Sequence, residues 1–417
     1  MKRLVLFAGA FLLVAVMARA GETIRFVAVN HTWTTAIKPL IPDFEKETGI
    51  KVRFESFGED QLQQRLAVEF SGGTTDIDVF ITRPLQEAKM MIKNGWIEDL
   101  TPYFADDEEY DFPDFTTGSI NCTNINGFQA CIPGVNENEI LYYRKDLLEA
   151  KGLKVPTTYE EMEEAARILH DPENEVYGFI ARGMRSPLVT QFSSYLYGFG
   201  GDFYDEETMT ATVDTPEFLA AADYYGRMLR NYGPPGVLNM SGLQAVAVFG
   251  QGKAALFTDA SSTYPNILDP AKSSVAHVTE CAVLPAGPVA HKTFDVTAWG
   301  MAIAASSQKK DAAWKFVRYM TDKKRTMIIQ GDNANQCARR SVYETPEGTK
   351  SFPKSWVKAV QESAPIGVGR DRPFIVAVSE ARDAIGEVVV DSILGKDFKT
   401  TAVRAQTRFQ EILDREK

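Results

Sequence analysis

The sequence is short of the features that mark several large protein classes. No Lys/Arg-rich run occurs, and acidic side chains outnumber basic ones by 56 to 45 for a net charge of −11, so the electrostatic footprint of a nucleic-acid binder is missing. Only four His are present, scattered at 31, 170, 277 and 291, and the four Cys contain no C-x-x-C pair, which argues against a metal site. Beyond residue 20 no stretch approaches 18 consecutive apolar residues, so no membrane-spanning helix is expected there. The G-x-S-x-G, H-E-x-x-H and G-x-x-x-x-G-K-[ST] patterns are absent; Gly250-Gln251-Gly252-Lys253 lacks the first Gly and the Ser/Thr of a phosphate loop. Internal repeats and low-complexity linkers are missing too.

What is there is a globular composition, 44 % hydrophobic and 24 % charged, in a chain of 417 residues. At ~100–200 residues per domain that length points to two or three folded units. Lys2 and Arg3 precede an apolar stretch at 4–17, and Ala18-Arg19-Ala20 supplies a small-x-small cleavage pattern, so the chain opens with a secretory signal peptide cut before Gly21. The apolar stretch, at ~1.5 Å per residue, is too short for a ~30 Å hydrocarbon core, and no Cys follows the cut to take a lipid. Loss of Lys2, Arg3 and Arg19 from the 45 basic residues leaves 42 against 56 acidic ones, a charge of −14 on a mature chain of 397 residues expected in the periplasm as a soluble monomer. Export favours disulfides among Cys122, Cys131, Cys281 and Cys337. The pairs expected are Cys122–Cys131, closing a turn-rich loop around Asn124-Ile125-Asn126-Gly127, and Cys281–Cys337.

The hydrophobic pattern alternates strand and helix at the start of the mature chain. Residues 23–29 read as a strand. Ile37, Leu40, Ile41 and Phe44 follow a helical period that Pro42 should kink and Gly49 should end. Ile50, Val52 and Phe54 alternate as a second strand, Leu62, Leu66 and Phe70 mark a helix, and residues 77–81 form a third strand. This is the βαβ signature of a parallel sheet covered on both faces. After Pro133 helices dominate: Thr158 and Glu161 form a capping box, and Thr215-Pro216 opens a helix with Phe218, Ala222, Tyr225 and Leu229 on its inner face. A strand at 297–304 and a helix carrying Ala313, Phe316, Val317 and Met320 then return to the first pattern. The fold class expected is α/β with two lobes joined by several crossing segments, which is hinge architecture.

Seven segments together resemble one family: LIPDFEKETGIKV at 40–52, DIDVF at 76–80, LYYRKDLL at 141–148, GFGG at 198–201, FGQGKAAL at 249–256, WGMAI at 299–303 and AAWKF at 312–316. In this order and spacing, behind a signal peptide, they are similar to the family 1 extracellular solute-binding proteins of ABC importers, the relatives of maltose-binding protein. The resemblance covers nearly the whole mature chain. It implies a two-lobed periplasmic binding protein fold with a ligand cleft between lobes, lobe one comprising 21–134 and 298–345 and lobe two 135–297 and 346–417. It also implies delivery of a carbohydrate-like solute to permease subunits in the membrane, with no cofactor. The stretch ARRSVY at 338–343 and Arg372-Pro373-Phe374 resemble those of relatives for monosaccharides, polyols and short glycosides.

Sugar recognition needs an aromatic surface for C–H faces and fixed polar groups for hydroxyls, placed at strand ends facing the cleft. Asn30, His31 and Trp33 follow the first strand, while Asp78, Thr82 and Arg83 flank the third. Asn136 and Glu137 follow the crossing at Pro133-Gly134, where the resemblance implies ligand contacts. Arg182 and Gly183 end a strand at 177–181, where an Arg could take a carboxylate or sulfonate, so an anionic glycoside stays open. Thr258 and Asp259 end a strand at 254–257. The resemblance implies an aromatic platform at Trp299 and a role for Arg339, with Arg340 holding structure. Tyr142-Tyr143 invites a ferric-ion alternative, since iron-binding proteins of this architecture use paired tyrosines, but in a strand the two side chains point to opposite faces. A secreted glycosidase is the enzymatic alternative; no carboxylate pair is singled out for it.

Overall fold

The structure, a computed structural model, describes residues 22–73 and 76–416; the expected leader at 1–20 and its cleavage point lie outside the described residues. Strand β1, Thr23–Val29, is buried at six of its seven positions and runs parallel to β2, Lys51–Phe57, and β3, Val79–Thr82, with Phe26 opposite both Phe54 and Val79. The connection from β1 to β2 is not one kinked helix. It is a helix Thr32–Ile37, a 3₁₀ turn Lys38–Leu40 and a fresh helix Ile41–Thr48, and Pro42 sits in the first turn of that last piece, where its missing N–H costs nothing. Gly49 stops the helix in the left-handed region at φ 73°, as the pattern predicts.

The remaining strands of the large sheet are β4 (Ile132–Arg144), β5 (Tyr177–Ile180), β6 (Ala254–Ala260), β7 (Thr279–Val283), β8 (Thr293–Ile303) and β9 (Gly367–Val368). Among the described residues they join one sheet in the order β2-β1-β3-β8-β4-β6-β5, with β7 on β4 and β9 on β8. Two strands in this order are long enough to run between the bodies, β4 serving the cores of both and β8 the first core and the small cluster of Leu85, Phe294, Val296 and Phe374. The first half of β4 places Ile132 and Val135 in a core with Phe26, Phe44, Phe80 and Phe316, while Ile140, Leu141 and Tyr142 belong to cores built with Phe192, Tyr225 and Trp356. Strand β8 runs the opposite way, antiparallel to β4, and ends in the first core at Met301, Ala302 and Ile303. A third passage lies at 338–343, since Ala338 packs in the first core and Tyr343 with Trp356 in the other. The fold is therefore mixed α/β with two packed bodies and strands shared between them.

At the crossing, backbone meets side chain at close range. A Cβ on Gly134 would lie 2.2 Å from the Trp33 ring, so only glycine lets β4 pass over that indole. The helix at Thr158 is capped as expected on one side only. Thr158 accepts from the Glu161 N–H at 3.2 Å, but the Glu161 carboxylate turns to the Thr157 N–H at 2.8 Å.

The expected disulfides do not form: Cys122, Cys131, Cys281 and Cys337 are all free and buried. The hairpin around Asn124 to Gln129 exists, yet it does not bring the thiols together. Cys122 Sγ donates to the Ser119 carbonyl at 3.3 Å and accepts from Thr297 N–H at 3.1 Å, while Cys131 Sγ packs where a Gly300 side chain would stand. Cys281 and Cys337 lie in different cores, on β7 opposite Tyr142 and beside Val135 respectively. Burial pushes the Cys122 thiol up to about 12 and raises the other three as well, so thiolate is scarce at neutral pH. The expected outcome is that a thiol reagent finds no fast-reacting group in the native protein and four in denaturant without prior reduction. Fewer than four would show a bond that this arrangement does not contain.

Candidate functional site

The two bodies meet along a line where Arg372 Nη1 donates to Gln86 Oε1 at 3.2 Å and Gln86 Nε2 donates to Ser379 Oγ at 3.2 Å. Beside it Leu85 packs with Ala260, Phe294, Val296 and Phe374. On the first-core side, His31 opens the helix Thr32–Ile37 as its N-cap. Its Nδ1 accepts from the Trp33 N–H at 3.1 Å, which puts the proton of the neutral ring on Nε2. The His31 ring lies 6.1 Å from Trp299, and the Arg83 guanidinium lies 5.6 Å from the same indole. Arg83 is itself held by Glu87 at 3.0 Å and by Glu59. Trp299 owes its position to an irregularity in β8, whose register with β4 shifts on either side of it, and it retains 9 % exposure.

On the second-core side, Arg182 grips Asp259 with two hydrogen bonds, at 3.1 and 2.6 Å. Asp259 is fully buried and also accepts from Gln191 Nε2 at 3.0 Å. Burial pulls the Arg182 guanidinium down, but Asp259 outweighs it and the net shift is upward. Glu137, midway along β4, accepts from Ser262 Oγ at 2.5 Å; burial pushes its carboxyl up despite that bond and the nearby Arg182. Arg372 forks onto its neighbour Asp371 through Nε at 2.7 Å and through Nη2. Asp371 is buried, which works to raise its pKa, and Arg372 reverses the shift. Arg382 donates to the Ser186 carbonyl at 2.8 Å and to Thr190 Oγ1 at 3.3 Å. Burial and then Arg372 lower it to about 9.

The arrangement thus brings His31, Arg83, Glu137, Arg182, Asp259 and Trp299 to one junction, and leaves other expected site residues elsewhere. Asn30 is exposed, its N–H bonded to the Phe57 carbonyl at 2.7 Å. Trp33 is 1 % exposed in the first core, pinned beneath Gly134. Asp78 sits at the far end of β3, where it accepts from Arg25 N–H at 2.8 Å, Ser307 Oγ at 2.6 Å and Lys309 Nζ at 3.2 Å. Thr82 donates to Glu87 at 2.9 Å, Gly183 is tied to the Met240 carbonyl at 3.0 Å, and Thr258 meets the Tyr195 hydroxyl at 2.8 Å. Asn136 turns to the other face of β4, where it accepts from Ser119 Oγ at 2.6 Å. Arg339 is a structural residue: fully buried, it donates to the carbonyls of Thr321, Tyr110 and Asp111 and lies against the rings of Tyr110 and Phe115.

Sequence reasoning missed Gln86, Ser262, Arg372 and Arg382 as cleft groups. For Arg382 a signal existed: in the helix Val378–Ile393 it lies four residues after Val378 and three before Ile385, both buried, so a cation borders the apolar stripe. Among the described residues no group of three or more His, Cys, Asp or Glu is placed to hold a metal ion, and no helix is long and apolar enough to cross a membrane.

Burial pulls the His31 imidazole down to about 4. Between its unfolded value, ~6.5, and about 4 the unfolded chain takes a proton that the folded protein refuses. The His31 contribution to stability is therefore complete above ~6.5 and is lost as pH falls through that window. A proton NMR titration should place the His31 ring midpoint near 4, and His31→Gln should flatten the stability slope over that range.

With this geometry in place, comparison with known proteins identifies the architecture. Residues 30–327 match the bacterial extracellular solute-binding protein family. The chain is 28 % identical over 351 residues to a mannitol-binding protein of Pseudomonas aeruginosa, covering 82 % of this chain and 77 % of that one. It is 27 % identical over 346 residues to an erythritol/L-threitol-binding protein of Mycolicibacterium smegmatis, covering 78 % and 72 %. The structure of an ABC transporter solute-binding protein of Agrobacterium radiobacter K84 in complex with ribitol superposes with a TM-score of 0.80 at 28 % identity, over 94 % of this chain and 99 % of that one. These relatives are binding proteins, and this chain belongs to the bacterial extracellular solute-binding protein family.

Proposed function

We propose that the protein captures a carbohydrate-like solute, a mono- or oligosaccharide, polyol or glycoside, in the cleft between its two bodies and delivers it to the permease of an ABC importer. The observation that carries this reading is the meeting at one junction of an aromatic plane, Trp299, with fixed polar groups from both sides: His31 and Arg83 from one, Glu137, Arg182 and Asp259 from the other. A polyhydroxylated ligand uses both kinds of surface. The polyols bound by the relatives support the choice of solute class. The chain acts as a binder and not as an enzyme, as a monomer, after export and removal of residues 1–20.

Binding that draws on groups from both bodies biases the hinge toward closure, because only the closed state offers all the contacts. The lobe division follows the shared strands. Ile132 and Val135 against Ile140 and Tyr142 support a crossing near 135, and Ala338 against Tyr343 supports a last crossing between those two residues. The rest of the division is as expected from the resemblance.

A thermal-shift screen over sugars, alditols, sugar acids and short glycosides tests the reading: a true ligand at ~100 times its dissociation constant adds ~2.7 kcal/mol of stability. No shift with any carbohydrate would overturn it. Trp299→Ala, followed by calorimetric titration with the best solute of the screen, should lower affinity ~30-fold to ~1000-fold, the range of a truncated aromatic anchor worth ~2–4 kcal/mol. Unchanged affinity with a large loss of ligand-free stability would assign Trp299 to the core alone.

A further inference from the structure

Each arginine at the junction but one already has its carboxylate. Arg83 has Glu87 and Glu59, Arg182 has Asp259, and Arg372 has Asp371. Arg382 has none among the described residues. Its Nε and Nη2 reach only the Ser186 carbonyl and Thr190 Oγ1, and Nη1 has no acceptor there. The carboxylates nearby are committed. Asp371 is forked by Arg372, and Asp259 is shared by Arg182 and Gln191. On the same helix Asp383 and Glu387 are turned to Arg185. Arg372 Nη2 also reaches Thr190 Oγ1, at 3.4 Å, so two guanidinium groups converge on one hydroxyl. Arg372, Arg182 and Arg83 act to lower Arg382 against the opposing pull of Asp371, which makes no hydrogen bond to it, and the guanidinium still remains protonated at neutral pH. A desolvated cation among cations is an unfavourable arrangement that an incoming oxyanion would relieve, and a guanidinium offers paired donors in the geometry a carboxylate, sulfonate or phosphate accepts.

We propose that Arg382 is the receptor for an acidic group on the solute, so that the cleft takes an anionic sugar or polyol in preference to a neutral one. This rests on the reading of the cleft as a carbohydrate site and narrows it. The position also corrects the expectation attached to Arg182, whose charge is spent on Asp259. Trp299, His31 and Glu137 remain available for the hydroxylated part of the ligand.

The test is calorimetric titration with matched neutral and acidic probes: sorbitol, D-gluconate and sorbitol 6-phosphate, and ribitol with D-ribonate. The expected result is that an acidic member of a set binds at least about tenfold tighter than its neutral partner, with affinity falling as ionic strength rises. Arg382→Gln should cut that preference by about tenfold to a hundredfold, the range of a charge-assisted hydrogen bond, and Arg382→Lys should restore part of it. Thermal unfolding without ligand, run on both variants, reads the loss of the Ser186 and Thr190 bonds separately, so that a change in the acid preference is scored only on protein shown to be folded. The carboxylate and phosphate arms separate the two sources of the anion. Tighter binding of the neutral member in every set would overturn the proposal and leave the carbohydrate reading standing. So would a preference untouched in both variants, and a failure of every acidic probe to bind when the wider screen yields a neutral carbohydrate ligand; the carbohydrate reading itself falls only if that screen yields none.

Discussion

The antiparallel pairing of Ile132–Arg144 with Thr293–Ile303 is the constraint from which the rest of the structure hangs. The first strand contributes side chains to the cores of both bodies, the second to the first core and to the small cluster with Leu85, Ala260 and Phe374, and their hydrogen-bond register fixes which residues stand between the bodies. Asp295 opposite Asn138, Val296 opposite Glu137 and Thr297 opposite Asn136 assign alternate side chains of β4 to opposite faces. Glu137 goes to the junction with Ser262, and Asn136 goes to the opposite side with Ser119. The irregularity around Trp299 re-aims one aromatic at the point where the shared strand enters the first core, as bulges do beside binding sites.

Charge at the junction is arranged by burial as much as by composition. The protein is acidic overall, yet the groups drawn together between the bodies include four arginines. Three are neutralised by carboxylates in bidentate or networked contacts, which keeps the desolvation of each ion compensated. His31 is held neutral by the same dehydration that elsewhere raises Glu137, because low polarity disfavours whichever form is charged. Fixed dipoles and paired ions of this kind cost little further reorganisation when a hydroxylated solute arrives.

Much of the fold was legible in the chain. The strand at 23–29, the stop at Gly49 and the Thr215-Pro216 helix start depend on period and on local backbone chemistry, and each stands where the pattern put it; the return expected at 297–304 is there too, but its strand already begins at Thr293 and ends at Ile303. The family segments fixed the architecture through their order. Less of the site was legible. Strand-end reasoning put Arg182 and Asp259 among the candidates, and the resemblance added Glu137, but strand ends also named Asp78 and Thr258, which serve internal bonds.

Local sequence, then, determined the secondary structure, the two-body plan and the membership of a solute-binding family, because those follow from hydrophobic period and from short motifs. Only tertiary structure decided the fates of two arginines alike in sequence terms. Arg339 is sealed among Tyr110, Thr321 and Phe115, while Arg182 finds Asp259, 77 positions away, at the junction. It also left Cys281 and Cys337 in separate cores and Arg382 without a carboxylate. Burial and ion pairing are set by groups far apart along the chain, and no local pattern records which of them will meet.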